Sequence, residues 1–138
     1  MTFADLHAEV QQFYARQMHL LDAGDGEGWA GTFTADGVFA MPSAPEPVRG
    51  RPTLAAGVHE AAAKLRAAGE VHRHIVGMVA VEPLPDGTLK VDSYAQIVAT
   101  PRGGHPRLHL MCVCHDLLVR EKGQLRVRER RVTRDDRP

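Results

Sequence analysis

Two neighbouring stretches decide the fold: Leu21-Asp22-Ala23-Gly24-Asp25-Gly26-Glu27-Gly28-Trp29, then Phe33-Thr34-Ala35-Asp36-Gly37-Val38-Phe39. The first ends one helix and begins another. Upstream, Phe3, Leu6, Val10, Phe13, Tyr14 and Leu21 fall on or near one face, so residues 3–22 are expected to be helical. Thr2 and Asp5 resemble a capping box at its start. Gly24 and Gly26 stop the pattern or break it into a turn. Asp25 suits the cap of a short second helix, with Trp29 and Phe33 one turn apart. Ala35-Asp36-Gly37 reads as a turn, with Asp36 a turn residue, and Val38-Phe39-Ala40-Met41 as a short strand.

Beyond it, Pro42 to Pro47 holds three prolines and reads as an irregular loop. Pro52 suits the first turn of a third helix carrying Leu54, Val58 and Leu65, with Gly69 at its C-cap. The second half changes period. Residues 71–82 and 88–100 flank Pro85-Asp86-Gly87 as a hairpin, and residues 107–120 and 124–134 flank Lys122-Gly123 as another. Helices first and an antiparallel meander later means α+β, with a sheet that must curl around the helices to cover their apolar faces.

The chain has 138 residues, 43% hydrophobic and 25% charged, which suits one domain spanning 1–138. Its formal net charge is zero, so nothing favours nucleic acid or an acidic membrane as a partner. No apolar run is long enough to cross a bilayer. The start, Met1-Thr2-Phe3-Ala4-Asp5-Leu6-His7, lacks a basic region followed by an apolar stretch, so no signal peptide and a cytoplasmic location are expected. Cys112 and Cys114 lie two apart, on one face of a strand. They are expected as free thiols rather than a disulfide or a zinc site.

The ordered segments resemble the nuclear transport factor 2-like superfamily, and within it SnoaL-like polyketide cyclases and scytalone-dehydratase-like proteins. The residues that carry this are the two opening stretches, Arg73-His74-Ile75-Val76-Gly77, His115-Asp116-Leu117-Leu118-Val119-Arg120 and Arg130-Arg131-Val132. The resemblance covers nearly the whole chain. It implies a cone: a bent sheet wraps three helices and leaves a pocket at its mouth. It also implies that an aspartate ending the first helix acts with a histidine on the first long strand. Asp22 and His74 match those positions. The chain departs from that branch at Leu21, where a tyrosine is usual, at Leu125, where a tryptophan is usual, and in having no clear second histidine unless His105 reaches in.

A carboxylate beside an imidazole orients the ring and favours its charged form, which makes an acid/base pair. His74 is therefore the expected general acid/base and Asp22 its partner. Trp29, Phe33, Phe39, Met41, Met78, Tyr94, Gln96, Cys112 and Cys114 are expected to wall a largely apolar pocket. His72 shares the strand face of His74 and edges the pocket or faces water. If the cysteines face the pocket, His109 and His115 face outward, where relatives often pack a second subunit. Asp116 and Arg130 are expected to form a cross-strand ion pair of structural value.

The expected function is cofactor-free cyclisation, dehydration or isomerisation of an apolar oxygenated small molecule, with no metal, by a homodimer. The competing class is a non-catalytic ligand-binding or assembly subunit, as in dioxygenase small subunits of this fold. A steroid-isomerase-like enzyme would need Tyr94 as an oxyanion donor.

Overall fold

The computed structural model describes residues 1–137. The chain begins with helix α1 (Phe3–Asp22), whose N-terminus is closed by the expected box: Thr2 accepts from the Asp5 N–H and Asp5 accepts from the Thr2 N–H. Its buried stripe is Val10, Tyr14, Gln17 and Met18, while Phe3 at the first turn stays exposed. Helix α2 (Gly26–Ala30) is capped by Asp25, whose carboxylate accepts from the Gly28 N–H at 2.9 Å. Strand β1 (Phe33–Ala40) starts earlier than the turn reading allowed. Asp36 lies inside it, where the register shifts between Phe33 and Val38, and accepts from the Thr34 hydroxyl at 3.0 Å. A short strand β2 (Val48–Arg49) pairs with β1.

Helix α3 (Arg51–Ala68) begins with Pro52 in its first turn and ends at Gly69, whose left-handed φ of 65° disfavours a side chain there. Four long strands follow: β3 (Glu70–Pro83), β4 (Leu89–Pro101), β5 (Arg107–Glu121) and β6 (Gln124–Arg134). The sheet is curved and unclosed, in the order β2-β1-β6-β5-β4-β3. The meander is antiparallel, and β1 docks parallel to β6. That leaves β3 as an edge, with the C-terminal end of α1 against it.

The concave face holds two apolar clusters. The larger joins Val10, Tyr14, Trp29, Phe33, Leu54, Val91, Leu118 and Val127. Rings of Trp29 and Phe33 lie 4.8 Å apart, and Phe39 closes the group at 5.7 Å from Trp29. Burying each such side chain contributes about 1.5–3 kcal/mol. The smaller cluster is Ala95, Cys112 and Cys114, flanked by Val76, Leu110 and Val132. The cysteines are free.

Buried polar residues link helix to sheet within this interior. Tyr14 donates to Asp116 at 2.7 Å, Arg130 donates to Asp116 through Nε and Nη2, and Arg130 Nη2 also donates to Gln17 at 2.7 Å. Gln17 in turn donates to Thr32. The guanidinium also lies 5.6 Å from the Tyr14 ring centre and 5.7 Å from that of Phe33. Burial disfavours the charge on Arg130, but the adjacent Asp116 carboxylate holds it firmly protonated. Burial, then the Asp116 charge, keeps the Tyr14 hydroxyl protonated. Every member has a partner, which is the condition for a buried charge to be tolerated.

Candidate active site

Strand β3 alternates cleanly at its start: Glu70, His72, His74 and Val76 are half-buried, while Val71, Arg73 and Ile75 are exposed. Val76 packs with Ala95, Cys112 and Cys114, which fixes the half-buried set on the concave face. His74 therefore rises from the inner face, at the strand edge that the end of α1 covers.

Asp22 ends α1 and reaches that edge. Its Oδ1 lies 2.7 Å from His74 Nδ1, and its two oxygens accept from the His74 backbone N–H at 3.3 and 3.2 Å. The Asp22 side chain is 8% exposed and that of His74 23%. A carboxylate only accepts, so Nδ1 carries a proton and the neutral ring presents its lone pair on Nε2. No described residue hydrogen-bonds Nε2. A cleft of about 370 Å³ opens beside the pair, lined by His19, Asp22, Ala23, Arg73 and His74. A larger recess of about 500 Å³, lined by Asp36, Val38, Arg49, Gly50, Arg128 and Glu129, lies around β1, β2 and β6 and contains no histidine. The chemistry, not the size, distinguishes the first.

Next to His74 stands a second polar group. Glu70 Oε1 lies 2.9 Å from His72 Nε2 and accepts from Arg107 Nη2 at 3.3 Å. The His109 ring lies 5.1 Å from that of His72. This corrects the outward placement of His109. The β4–β5 register passes from Ile97↔Leu110 to Val98↔Leu108, so His109 is the extra residue of a bulge and escapes the simple alternation. His115 does face outward, where Asp92 lies 2.7 Å from its Nδ1. His105 stays exposed in the β4–β5 turn.

The proposed pocket wall divides. Cys112 and Cys114 lie on the inner face with His74's strand neighbour Val76. Burial pushes the Cys114 thiol up to about 11. Trp29 and Phe33 are buried in the larger cluster, with Phe39 packed against it, and Met41 is half-buried just past β1. The Trp29 Nε1–H is buried without a partner among the described residues. Met78, Tyr94 and Gln96 are corrections. Ala95, not its neighbours, pairs with Cys112, so Tyr94 and Gln96 project from the outer face, and Tyr94 is 51% exposed. Met78 sits in a β3 irregularity at φ 51° and is 77% exposed. Tyr94 is therefore no oxyanion donor for this pocket. Asp116 and Arg130 pair across strands in the interior, as expected of a structural ion pair.

Among the described residues, no group of three or more His, Cys, Asp or Glu side chains is placed to hold a metal ion. No described helix is long and apolar enough to cross a membrane.

Comparison with known proteins adds the relationship. The SnoaL-like domain family matches residues 3–131. The structure of Aln2 from a Streptomyces species is 38% identical, with 96% of this chain and 92% of that one covered and a TM-score of 0.88. ActVI-ORFA from Streptomyces coelicolor is 33% identical over 96% of both chains, at a TM-score of 0.88. A protein from Catenulispora acidiphila, solved in complex with S-DNPA, is 36% identical over 96% of both chains, at 0.83. No curated protein matches the chain.

Proposed function

The chain belongs to the SnoaL-like domain family, and from that premise we propose that it is a cofactor-independent acid/base enzyme of secondary metabolism. It takes an apolar, oxygenated substrate of the polyketide type and cyclises, dehydrates or isomerises it. The observation that carries this reading is the His74 ring, held at Nδ1 by Asp22 with Nε2 unpartnered among the described residues.

The chemistry follows from that tautomer. His74 Nε2 takes a proton from a carbon next to a carbonyl, and the electron pair moves into the enolate. Asp22 stabilises the imidazolium through the Nδ1–H bond, as a carboxylate does for any adjacent cation. The same Nε2–H then returns its proton to carbon, to oxygen or to a departing hydroxyl. A neutral pH range suits an imidazole in both roles. Ala95, Cys112 and Cys114 pack as a small apolar cluster on the same inner face, and a shaped pocket can hold a flexible chain near its closing geometry. The assembly that fits is a homodimer through the outer sheet face, where Val71, Ile75, Met78, Tyr94 and Leu108 are all exposed.

S-DNPA, bound by the Catenulispora relative, is the first probe. Incubated with the protein in D2O, it should gain deuterium or change chemically, and His74→Gln should abolish both while still binding it. Binding without exchange or conversion, unaffected by His74→Gln, would instead identify a non-catalytic ligand-binding subunit.

A further inference from the structure

His74 is not the only imidazole of this face that a carboxylate orients. Glu70 and His72 share the inner face of β3 with it, and His72 pairs in register with Ala99, whose side chain is fully buried. Glu70 Oε1 lies 2.9 Å from His72 Nε2, with Arg107 on the same oxygen. Hydrogen bonding from His72 holds the Glu70 carboxyl below its usual range, with help from Arg107. An ionised carboxylate accepts only, so the proton of neutral His72 sits on Nε2 and its lone pair on Nδ1. No described residue hydrogen-bonds that Nδ1. The two rings thus carry opposite tautomers, each fixed by its own acid. Their Cα atoms, two strand residues apart, are about 7 Å from one another.

Building on the acid/base reading above, we propose that His72 is a second proton-transfer group on the inner face of β3 beside His74, with Glu70 as its positioning residue. The pair divides the labour that one ring would otherwise do in sequence. His74 Nε2 removes a proton from carbon. His72, in its imidazolium form with Nε2–H on Glu70, donates from Nδ1–H to the oxygen that leaves or gains charge. In a dehydration the C–H bond breaks toward His74, its electron pair forms the C=C bond, and the C–O bond breaks. The hydroxyl departs as water with the His72 proton, and solvent returns the His74 proton to His72. Nothing else is consumed. Acid and base on one face fit a β-hydroxy carbonyl compound, with C–H and C–OH on neighbouring carbons, better than a ketone that merely shifts a double bond. The His109 ring against His72 and the Arg107–Glu70 contact keep the second ring from rotating away.

Long-range 1H–15N NMR of the histidine rings tests the geometry without a substrate. His72 should be the Nε2–H tautomer and His74 the Nδ1–H tautomer, and Glu70→Gln should scramble His72 alone, with His74 reporting that the fold is intact. A His72 proton on Nδ1, or no response to Glu70→Gln, overturns the proposal. Turnover of a β-hydroxy aryl ketone probe separates the roles. His72→Gln should retain carbon deuterium exchange but lower loss or gain of water about 100-fold, whereas His74→Gln should lose both. Wild-type rates in His72→Gln with loss in His74→Gln would remove His72 and leave the dyad standing. Wild-type rates in both variants would remove the acid/base reading itself.

Discussion

Asp22 grips His74 twice, at ring Nδ1 at 2.7 Å and at the backbone N–H at 3.2 Å. The two contacts have different consequences. The first sets the tautomer. The second satisfies a backbone donor on the free edge of β3, which no neighbouring strand can reach. One carboxylate thus anchors the end of α1 to the sheet and aims the ring.

Replacing Asp22 by Asn keeps shape and hydrogen-bonding capacity but removes the charge that stabilises the imidazolium. Deuterium exchange into S-DNPA should fall about 100-fold, with the far-UV circular dichroism unchanged. Asp22→Ala should do the same and also lower the urea midpoint, because the His74 N–H loses its partner. Equal exchange rates in Asp22→Asn and wild type would remove Asp22 from the mechanism.

The interior ion pair predicts stability, not activity. Arg130 and Asp116 have side chains 5% and 1% exposed. Arg130→Met leaves Asp116 charged in a desolvated site and should cost about 3–5 kcal/mol in urea unfolding. Tyr14→Phe removes one donor to that carboxylate and should cost about 1.5–3 kcal/mol. Because Tyr14 and Arg130 share Asp116, the double variant should lose a different amount from the sum. Strict additivity would mean that the three do not act as a unit.

Much of this architecture is legible in the sequence because its punctuation is chemical. Thr2 with Asp5, Asp25, Pro52, Gly69 and Pro85-Asp86-Gly87 stand where the chain caps or turns. The Asp22–His74 meeting is legible only through family resemblance, since nothing local in either segment specifies a partner 52 residues away. The failures have a common cause. Tyr94 and Gln96 sit in a strand with apolar residues on both faces, Val91 and Ala95 inward, Tyr94 and Val98 outward, so alternation alone does not say which side is buried. Bulges at Met78 and at His109 then break the alternation altogether. Gln17 is not part of the apolar pattern read along the first helix, and its burial depends on Arg130, 113 positions later, as a partner.

Cys114 makes stability fall at high pH. Its folded thiol is raised from 9.0 to about 11, chiefly by burial. Between those values the unfolded chain loses a proton that the folded chain keeps, so the unfolded state binds fewer protons and stability drops as pH rises. The loss should accumulate to about 2–3 kcal/mol by the top of the window. Below pH 9 the contribution is complete. Urea unfolding at pH 8 and pH 10.5 should show a smaller drop for Cys114→Ala than for wild type. Parallel slopes would mean that the thiol titrates alike in both states. Alkylation at pH 8 should label neither buried cysteine quickly, and Cys114 least of all.

The outer sheet face predicts assembly. Ile75 is 50% exposed, Tyr94 51% and Leu108 55%, and they stand on adjacent strands β3, β4 and β5. Isolated exposed apolar residues need no explanation, but three on adjacent strands around Gln96, which pairs with Ile75, are the expected contact surface of the proposed dimer. A second copy applied to this face would bury the same residues from both sides, as a two-fold interface requires. It would also cover the outward Asp92–His115 pair, which is 38% to 43% exposed in the single chain. Light scattering after size exclusion should give twice the chain mass for wild type. Ile75→Asp with Tyr94→Asp should give the single-chain mass and keep the Asp22–His74 tautomer signature, because both substitutions lie on the face opposite the dyad. A wild-type monomer at micromolar concentration would remove the dimer, and a dimer indifferent to these charges would place the subunit contact elsewhere.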